Sequence, residues 1–194
     1  MPIYYSDSRD DNEGIVAEHM AVRKKAGFFD ICHMGRLTIS GSGASDLVQS
    51  LTTNDVLNLK DGGIQYSLVC NDEGGILDDI LVYRLKDGYL LVVNAGNRQV
   101  ISSWFKKWSG RAEVRDVSDE MGMVAIQGPV SEKIMCRLAG ADISALGYYC
   151  FRESKIGNIE SLISRTGYTG EDGFEIYFVI SWNTMIAIRI IKIP

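Results

Sequence analysis

The sequence predicts an α+β fold built on mixed, mainly antiparallel sheets with flanking helices. Three observations carry this. Strand-like runs over 64–70, 76–85 and 89–94 follow one another with only turn residues between them, which describes a meander and not alternating parallel units. Helical spacings appear between strands without a regular order. The composition is that of a folded globule: 194 residues, 46% hydrophobic and 23% charged, with a mean hydropathy of +0.00. Disordered and collagen-like chains are excluded on those values. The length suits one domain or two small ones with a sizeable core.

Taken in order, Ile15 to Lys25 reads as a helix, with Val16 and Met20 near helical spacing. Gly27 would end it. Arg36 to Ser40 alternates weakly and reads as a strand. Gly41 and Gly43 mark a turn, and Ser42 is a candidate cap for a helix over Ala44 to Leu51. Ile64 to Cys70 is a strand, and the NDEGG turn at 71–75 leads into a second run, Ile76 to Leu85. Asp87-Gly88 turns the chain into a third strand, Tyr89 to Asn94. Gln99 to Trp108 reads as an amphipathic helix. Glu113 to Val117 and Met123 to Gln127 read as strands, and Ser131 to Leu138 as a short helix after Gly128-Pro129. Ser154 to Ile156 and Ser161 to Ser164 are strand-like. The loop from Thr166 to Gly173 is rich in glycine, and Phe174 to Ile180 is a clear strand. With Gly 20 against Pro 3, tight turns and close backbone approaches are expected.

Several function classes fall away at this point. The net charge of -5 and pI near 5.1 argue against nucleic acid as the main partner. The cysteines Cys32, Cys70, Cys136 and Cys150 contain no CxxC pair. The only histidines are His19 and His33, so a zinc site of standard spacing is not expected, nor any other metal. The polar, acidic start MPIYYSDSRDDNEG is unlike a signal peptide. No apolar run approaches the length of a membrane span. The cysteines therefore read as reduced thiols in a cytoplasmic compartment.

Five segments carry candidate chemistry. In GGILDDILVYR, 74–84, strand alternation puts Leu77, Asp79, Leu81 and Tyr83 on one face and Asp78, Ile80, Val82 and Arg84 on the other. Spacing alone favours two solvated carboxylates at a hairpin end, because buried unpaired acids are costly. In SRTGYTGEDGFEIYF, 164–178, Phe174, Ile176 and Phe178 share a face opposite Glu175 and Tyr177. A carboxylate beside an aromatic can clamp a flat heterocycle with paired N–H donors, although a solvated acidic hairpin face is favoured from spacing. His33, in DICHMGRLTISG, is a candidate for acid–base chemistry by residue type, but a lone histidine is more often structural. Thr53, Asn54 and Asp55 form a helix-exit or turn cluster. Asn94 sits at a strand end beside small residues, where amides bind ligands or cap turns.

Together these segments resemble the aminomethyltransferase, or T-protein, family of the glycine cleavage system. The stretches are AEHMAVRKKAGFFDICHMG, LTTND, QYSLVCNDEGGILDDILVYR, LLVVNAGN, AIQGP, YYCFRE and ISRTGYTGEDGFEIY, running to Tyr177. No single piece is specific, but their order along the chain is. The resemblance implies a three-domain cloverleaf around a central folate site. It implies transfer of a methylene unit from an aminomethyl group on the lipoyl arm of the H-protein to tetrahydrofolate, with release of ammonia. Carried over by position, Asp79 is the catalytic acid and Glu175 anchors the pterin. Tyr66, Tyr83, Asn94, Tyr148 and Tyr168 fall near the folate, and Met34 supplies apolar contact to its ring.

The resemblance also implies further sequence before Met1. After Tyr177 it implies the rest of the first domain and a C-terminal barrel, including an arginine and an aromatic that complete the folate pocket. Residues 31–119 then form an inserted α+β subdomain, with 1–30 and 120–194 an incomplete first one. Cys32 stands where relatives carry serine. The apolar tail 186–193 reads as a frameshifted end or a short covering helix. Alternatives are a non-catalytic folate-binding accessory protein, the folate domain of a sarcosine or dimethylglycine dehydrogenase, or an inactive gene fragment. The KGCYxGQE-like motif of the iron–sulfur-maturation relatives is absent; the corresponding loop reads RTGYTGEDGFE.

Overall fold

A computed structural model describes residues 11–180. The tail reading over 186–193 lies outside the described residues. Among the described residues, ten strands form two five-stranded sheets, and every strand pair in them is antiparallel. The first sheet contains β1 (Gly27–Asp30), β7 (Met121–Gln127), β8 (Phe151–Ile156), β9 (Ile159–Ser164) and β10 (Gly173–Val179), in the order β1-β7-β10-β9-β8. The second contains β2 (Gly35–Ser40), β3 (Ile64–Cys70), β4 (Ile76–Leu85), β5 (Gly88–Val93) and β6 (Glu113–Asp116), in the order β3-β4-β5-β2-β6. The expected meander is therefore β3-β4-β5. It holds because two short turns, NDEGG and Lys86-Asp87, return the chain directly onto itself.

Helices cover the outer faces. α2 (Ala44–Leu51) and α3 (Arg98–Lys107) bury Leu47, Val48, Ile101 and Phe105 against Leu37, Ile39, Val82 and Leu91 of the second sheet. α4 (Ser131–Ala139) packs Met135 on the first sheet with Ile126, Ile163, Phe174 and Ile176. α1 (Asp11–Lys24) precedes β1 and is tied to the loop after β9 by an Arg23–Glu171 ion pair of 3.0 Å. The inner faces of the two sheets meet through a third cluster: Ile64, Leu81, Tyr83, Leu90 and Val92 from one side, Met123, Phe151 and Tyr177 from the other. The result is a helix–sheet–sheet–helix stack, and the seam between the sheets is where a ligand can be gripped from two directions.

The structure corrects three sequence expectations. Gly27 opens a strand and does not cap α1, which already ends at Lys24. α2 is entered from Gly43 with no side-chain cap, so Ser42 has no such role. Close backbone approach shapes that turn instead: Gly41 has φ +88, and a Cβ there would lie 2.9 Å from the Arg111 carbonyl oxygen. Leu77 leaves the face expected of it and packs with the outer core beside Ile80 and Val82. A register shift opposite Val69/Cys70 passes over Leu77, so alternation is broken at that point and resumes from Asp78.

Candidate functional site

A cavity of about 290 Å³ opens at the seam between the sheets, lined by Ile31, Met34, Asp79, Leu81, Val92, Asn94, Met123, Tyr168 and Glu175. This is near the lower end of small-molecule sites. Other hollows are as large or larger, one on the far side of the seam and one beside the end of α3. The site is identified by its chemistry: two carboxylates from different sheets and one amide converge on an otherwise apolar wall. None of the described lining residues is a cation, so the walls suit N–H donors and not anions.

Glu175 enters from the middle of β10, opposite Ala125 of β7 and Ser164 of β9. It is only 5% exposed, so the solvated-face expectation does not hold; the second sheet covers it. Its Oε2 accepts from Thr166 Oγ1 at 2.7 Å and lies 3.2 Å from Tyr177 Oη and 3.3 Å from Tyr83 Oη. Tyr83 and Tyr177 are 2.7 Å apart at their hydroxyls, and Ser164 Oγ bonds Thr166 at 2.7 Å. Three hydroxyls thus gather on one oxygen of the carboxylate, and its orientation is set before any ligand arrives. Burial raises the Glu175 pKa above the ordinary glutamate range, while the Thr166, Tyr177 and Tyr83 hydroxyls pull it back. Burial also raises Tyr83 and Tyr177, with Glu175's charge adding to it, so both phenols stay protonated as donors.

Asp79 enters from β4 on the face of Leu81 and Tyr83, as alternation requires, and is partly buried at the cavity edge. Asn94 Nδ2 donates to its Oδ1 at 3.0 Å and to its main-chain oxygen at 3.1 Å. Tyr66 stands beside it on β3; partial desolvation and the negative charge of Asp79 both raise the Tyr66 phenol. Asp78, one residue earlier, points away from the cavity and is 3% exposed. It is not a solvated hairpin acid: it accepts from Asn94 N at 2.9 Å, Asn94 Nδ2 at 2.9 Å and Asn97 Nδ2 at 2.6 Å.

Two further loops complete the wall. Met34 follows the exposed His33 and Cys32, and its loop is held by Arg36, whose side chain is fully buried. The Arg36 guanidinium donates to the carbonyls of Cys32 (3.1 Å), Met34 (2.6 Å) and Ser118. Burial lowers the Arg36 pKa, and the nearby charge of Asp116 offsets this only in part. The loop from Thr166 to Gly173, carrying Tyr168, is pinned by buried Gln127. Its Nε2 donates to Thr166 O at 2.9 Å and its Oε1 accepts from Thr169 at 3.0 Å. A Cβ on Gly167 would fall 1.9 Å from Gln127 Oε1. Gly167→Ala is therefore expected to expel Gln127 and cost about 1–3 kcal/mol in overpacking, read as a lowered urea midpoint. A midpoint within error of the parent would show that the loop does not depend on this contact.

Of the residues singled out in the sequence, Asp79, Glu175, Asn94, Met34 and Tyr168 share the cavity lining. Tyr83 lies beneath it, bonded to Glu175, and Tyr66 lies beside Asp79. Tyr148 is 69% exposed outside the lining, its ring 4.8 Å from that of Tyr149. Asn54 binds β3, donating to Tyr66 O at 3.0 Å, and Asp55 caps the short 3-10 turn that follows. Sequence reasoning gave no site role to Thr166, Asp78, Gln127 or Arg36. Alternation did put Tyr177 on Glu175's face; for Gln127 and Arg36 no local signal exists.

Comparison with known proteins agrees with this architecture. Residues 1–192 match the family model described as GCVT N-terminal domain. An aminomethyltransferase of Desulforamulus reducens is 46% identical, over 96% of this chain and 51% of its own length. One from Thermoanaerobacter sp. is 47% identical, over 85% of this chain and 46% of its own length. The chain thus spans about half the length of the curated relatives it matches. The crystal structure of glycine cleavage system aminomethyltransferase T from Bartonella henselae superposes with a TM-score of 0.85 at 31% identity. It covers all of this chain and 51% of that one. A heterotetrameric sarcosine oxidase from Corynebacterium sp. U-96 shares the fold at a TM-score of 0.62 and 16% identity, over 87% of this chain. On the match to nearly its whole length, the chain belongs to the GCVT N-terminal domain family, whose similar curated members are aminomethyltransferases.

Proposed function

We propose that this chain is the folate-binding half of a tetrahydrofolate-dependent aminomethyltransferase of the glycine cleavage system. In this reading it helps transfer the methylene of an aminomethyl-lipoyl H-protein to tetrahydrofolate, with release of ammonia. The observation that carries the reading is the convergence of Asp79 and Glu175, from opposite sheets, on one cavity. A reduced pterin has a flat pyrimidine ring, offers several N–H donors along one edge, and suits an apolar slot ended by carboxylates. Glu175, oriented through Oε2, would take the amino and ring N–H groups. Asp79, at the other side, would hold or accept a proton near N5 and orient it toward the methylene carbon. Met34 and Leu81 would contact the ring faces. The anionic glutamate tail would point out of the mouth, because two carboxylates line the interior.

The same reading takes residues 31–119 as the inserted subdomain. It is supported by strands within 35–116 forming one sheet while 27–30 and 121–179 form the other. It also takes a cytoplasmic setting, supported by four free cysteines. Calorimetric titration of 5-formyltetrahydrofolate into the chain tests the assignment. Saturable binding at micromolar to low millimolar ligand is expected, with non-reduced folic acid weaker. Absence of saturable binding by 5-formyltetrahydrofolate, or folic acid binding as tightly as the reduced compound, would overturn it.

A further inference from the structure

We propose that Asp78 is a positioning residue for the site: it sets the Asn94 side chain, and through it the carboxylate of Asp79. The inference rests on the reading of Asp79 given above. Asp78 lies on the opposite face of β4, is buried, and is not itself part of the cavity lining. Each of its oxygens is committed. Oδ2 takes the main-chain N–H of Asn94, and Oδ1 takes the side-chain amides of Asn94 and Asn97. The main-chain bond holds the end of β5 against β4 where the chain leaves the sheet for the 3-10 turn Ala95–Asn97. The Oδ1 bonds leave the Asn94 amide one way to face. Its nitrogen must point at the two aspartates, so its Nδ2 also lies within bonding distance of Asp79 Oδ1 and the Asp79 main-chain oxygen. Two adjacent acids therefore divide the work. The first is spent on holding an amide, and the amide in turn holds Oδ1 of the second at the cavity edge.

The substitution Asp78→Asn exposes this arrangement. An asparagine keeps the volume but offers one acceptor where the site needs two, so in either orientation a donor meets a donor. Binding of 5-formyltetrahydrofolate is measured for Asp78→Asn, Asn94→Ser and the double variant. Each single variant is expected to weaken binding about tenfold, and the double variant about tenfold as well, because both act through one amide. The ligand-free Asn94 side-chain amide resonance is expected to shift in Asp78→Asn. Val48→Ala, a core truncation away from the cavity, lowers stability and is expected to leave the affinity unchanged.

Losses that multiply in the double variant, or an unmoved Asn94 resonance, would overturn the proposal. If the parent chain binds no reduced folate, the functional reading fails, and the Asn94 resonance alone decides the role of Asp78. Should Asp78→Asn not fold, Asn97→Ala removes the 2.6 Å donor to Oδ1 and enters the same cycle with Asn94→Ser. Non-additive loss then supports the proposal and additive loss overturns it.

Discussion

On the proposed function, Asp79→Asn is expected to lower methylene transfer by about 10²–10⁴-fold, the usual contribution of a positioned acid or base. The assay supplies tetrahydrofolate and an aminomethyl-lipoyl carrier and follows 5,10-methylenetetrahydrofolate. The fold should survive. Asp79 is only partly buried, and the Asn94 amide can donate to the oxygen of an asparagine as it does to Oδ1 now. The loss in stability should stay near the value of one exchanged hydrogen bond, about 1 kcal/mol. An unchanged transfer rate would remove Asp79 from the reaction. A large fall in the unfolding midpoint would instead make it structural.

Glu175 carries the second large effect, and here stability and binding must be separated. Glu175→Ala removes a charge-assisted acceptor worth about 1.5–3 kcal/mol, or roughly 10–100-fold in reduced-folate affinity. It also strips Thr166, Tyr83 and Tyr177 of their shared partner, so stability falls too. Glu175→Gln is the sharper variant. Its amide oxygen can replace Oε2 under the three hydroxyls, leaving an NH2 where a ligand donor expects an acceptor. Affinity should then drop nearly as far as in the alanine variant while the fold is largely retained. Calorimetry finding equal affinity in Glu175→Gln and the parent would remove Glu175 from recognition.

The pH dependence of stability follows with a definite sign. Burial raises the folded-state pKa of Glu175 above its unfolded value, so the folded state binds the proton more tightly. Below the unfolded value both states are protonated and no penalty exists. As pH rises through the ordinary glutamate range to the raised folded value, the parent loses stability relative to Glu175→Gln. Parallel curves for the two proteins over that window would contradict the desolvated carboxylate.

The strands and most helices were legible because their signals are local. Alternation over β4 and β10 is a property of the pleat, and it correctly paired Asp79 with Leu81 and Tyr83, and Glu175 with Tyr177. Spacing misjudged the surroundings of those faces. It favoured solvent around Asp78 and Glu175, and both are buried. A carboxylate looks costly to bury until its donors are counted, and the donors here come from residues 16 or more positions away for Asp78 and up to 92 for Glu175.

The chain's own order of residues therefore determined the class of fold, the run of strands, the face each acid takes and the family kinship carried by motifs such as LTTND and GYTGEDGFEIY. Tertiary structure alone decided what each face meets: that a second sheet closes over Glu175, that Gln127 threads between Gly167 and Gly173, and that Arg36 is spent on carbonyls. The reason is physical. Period and turn chemistry act over a few bonds, whereas desolvation and hydrogen-bond partnership depend on atoms that distant parts of the chain bring together.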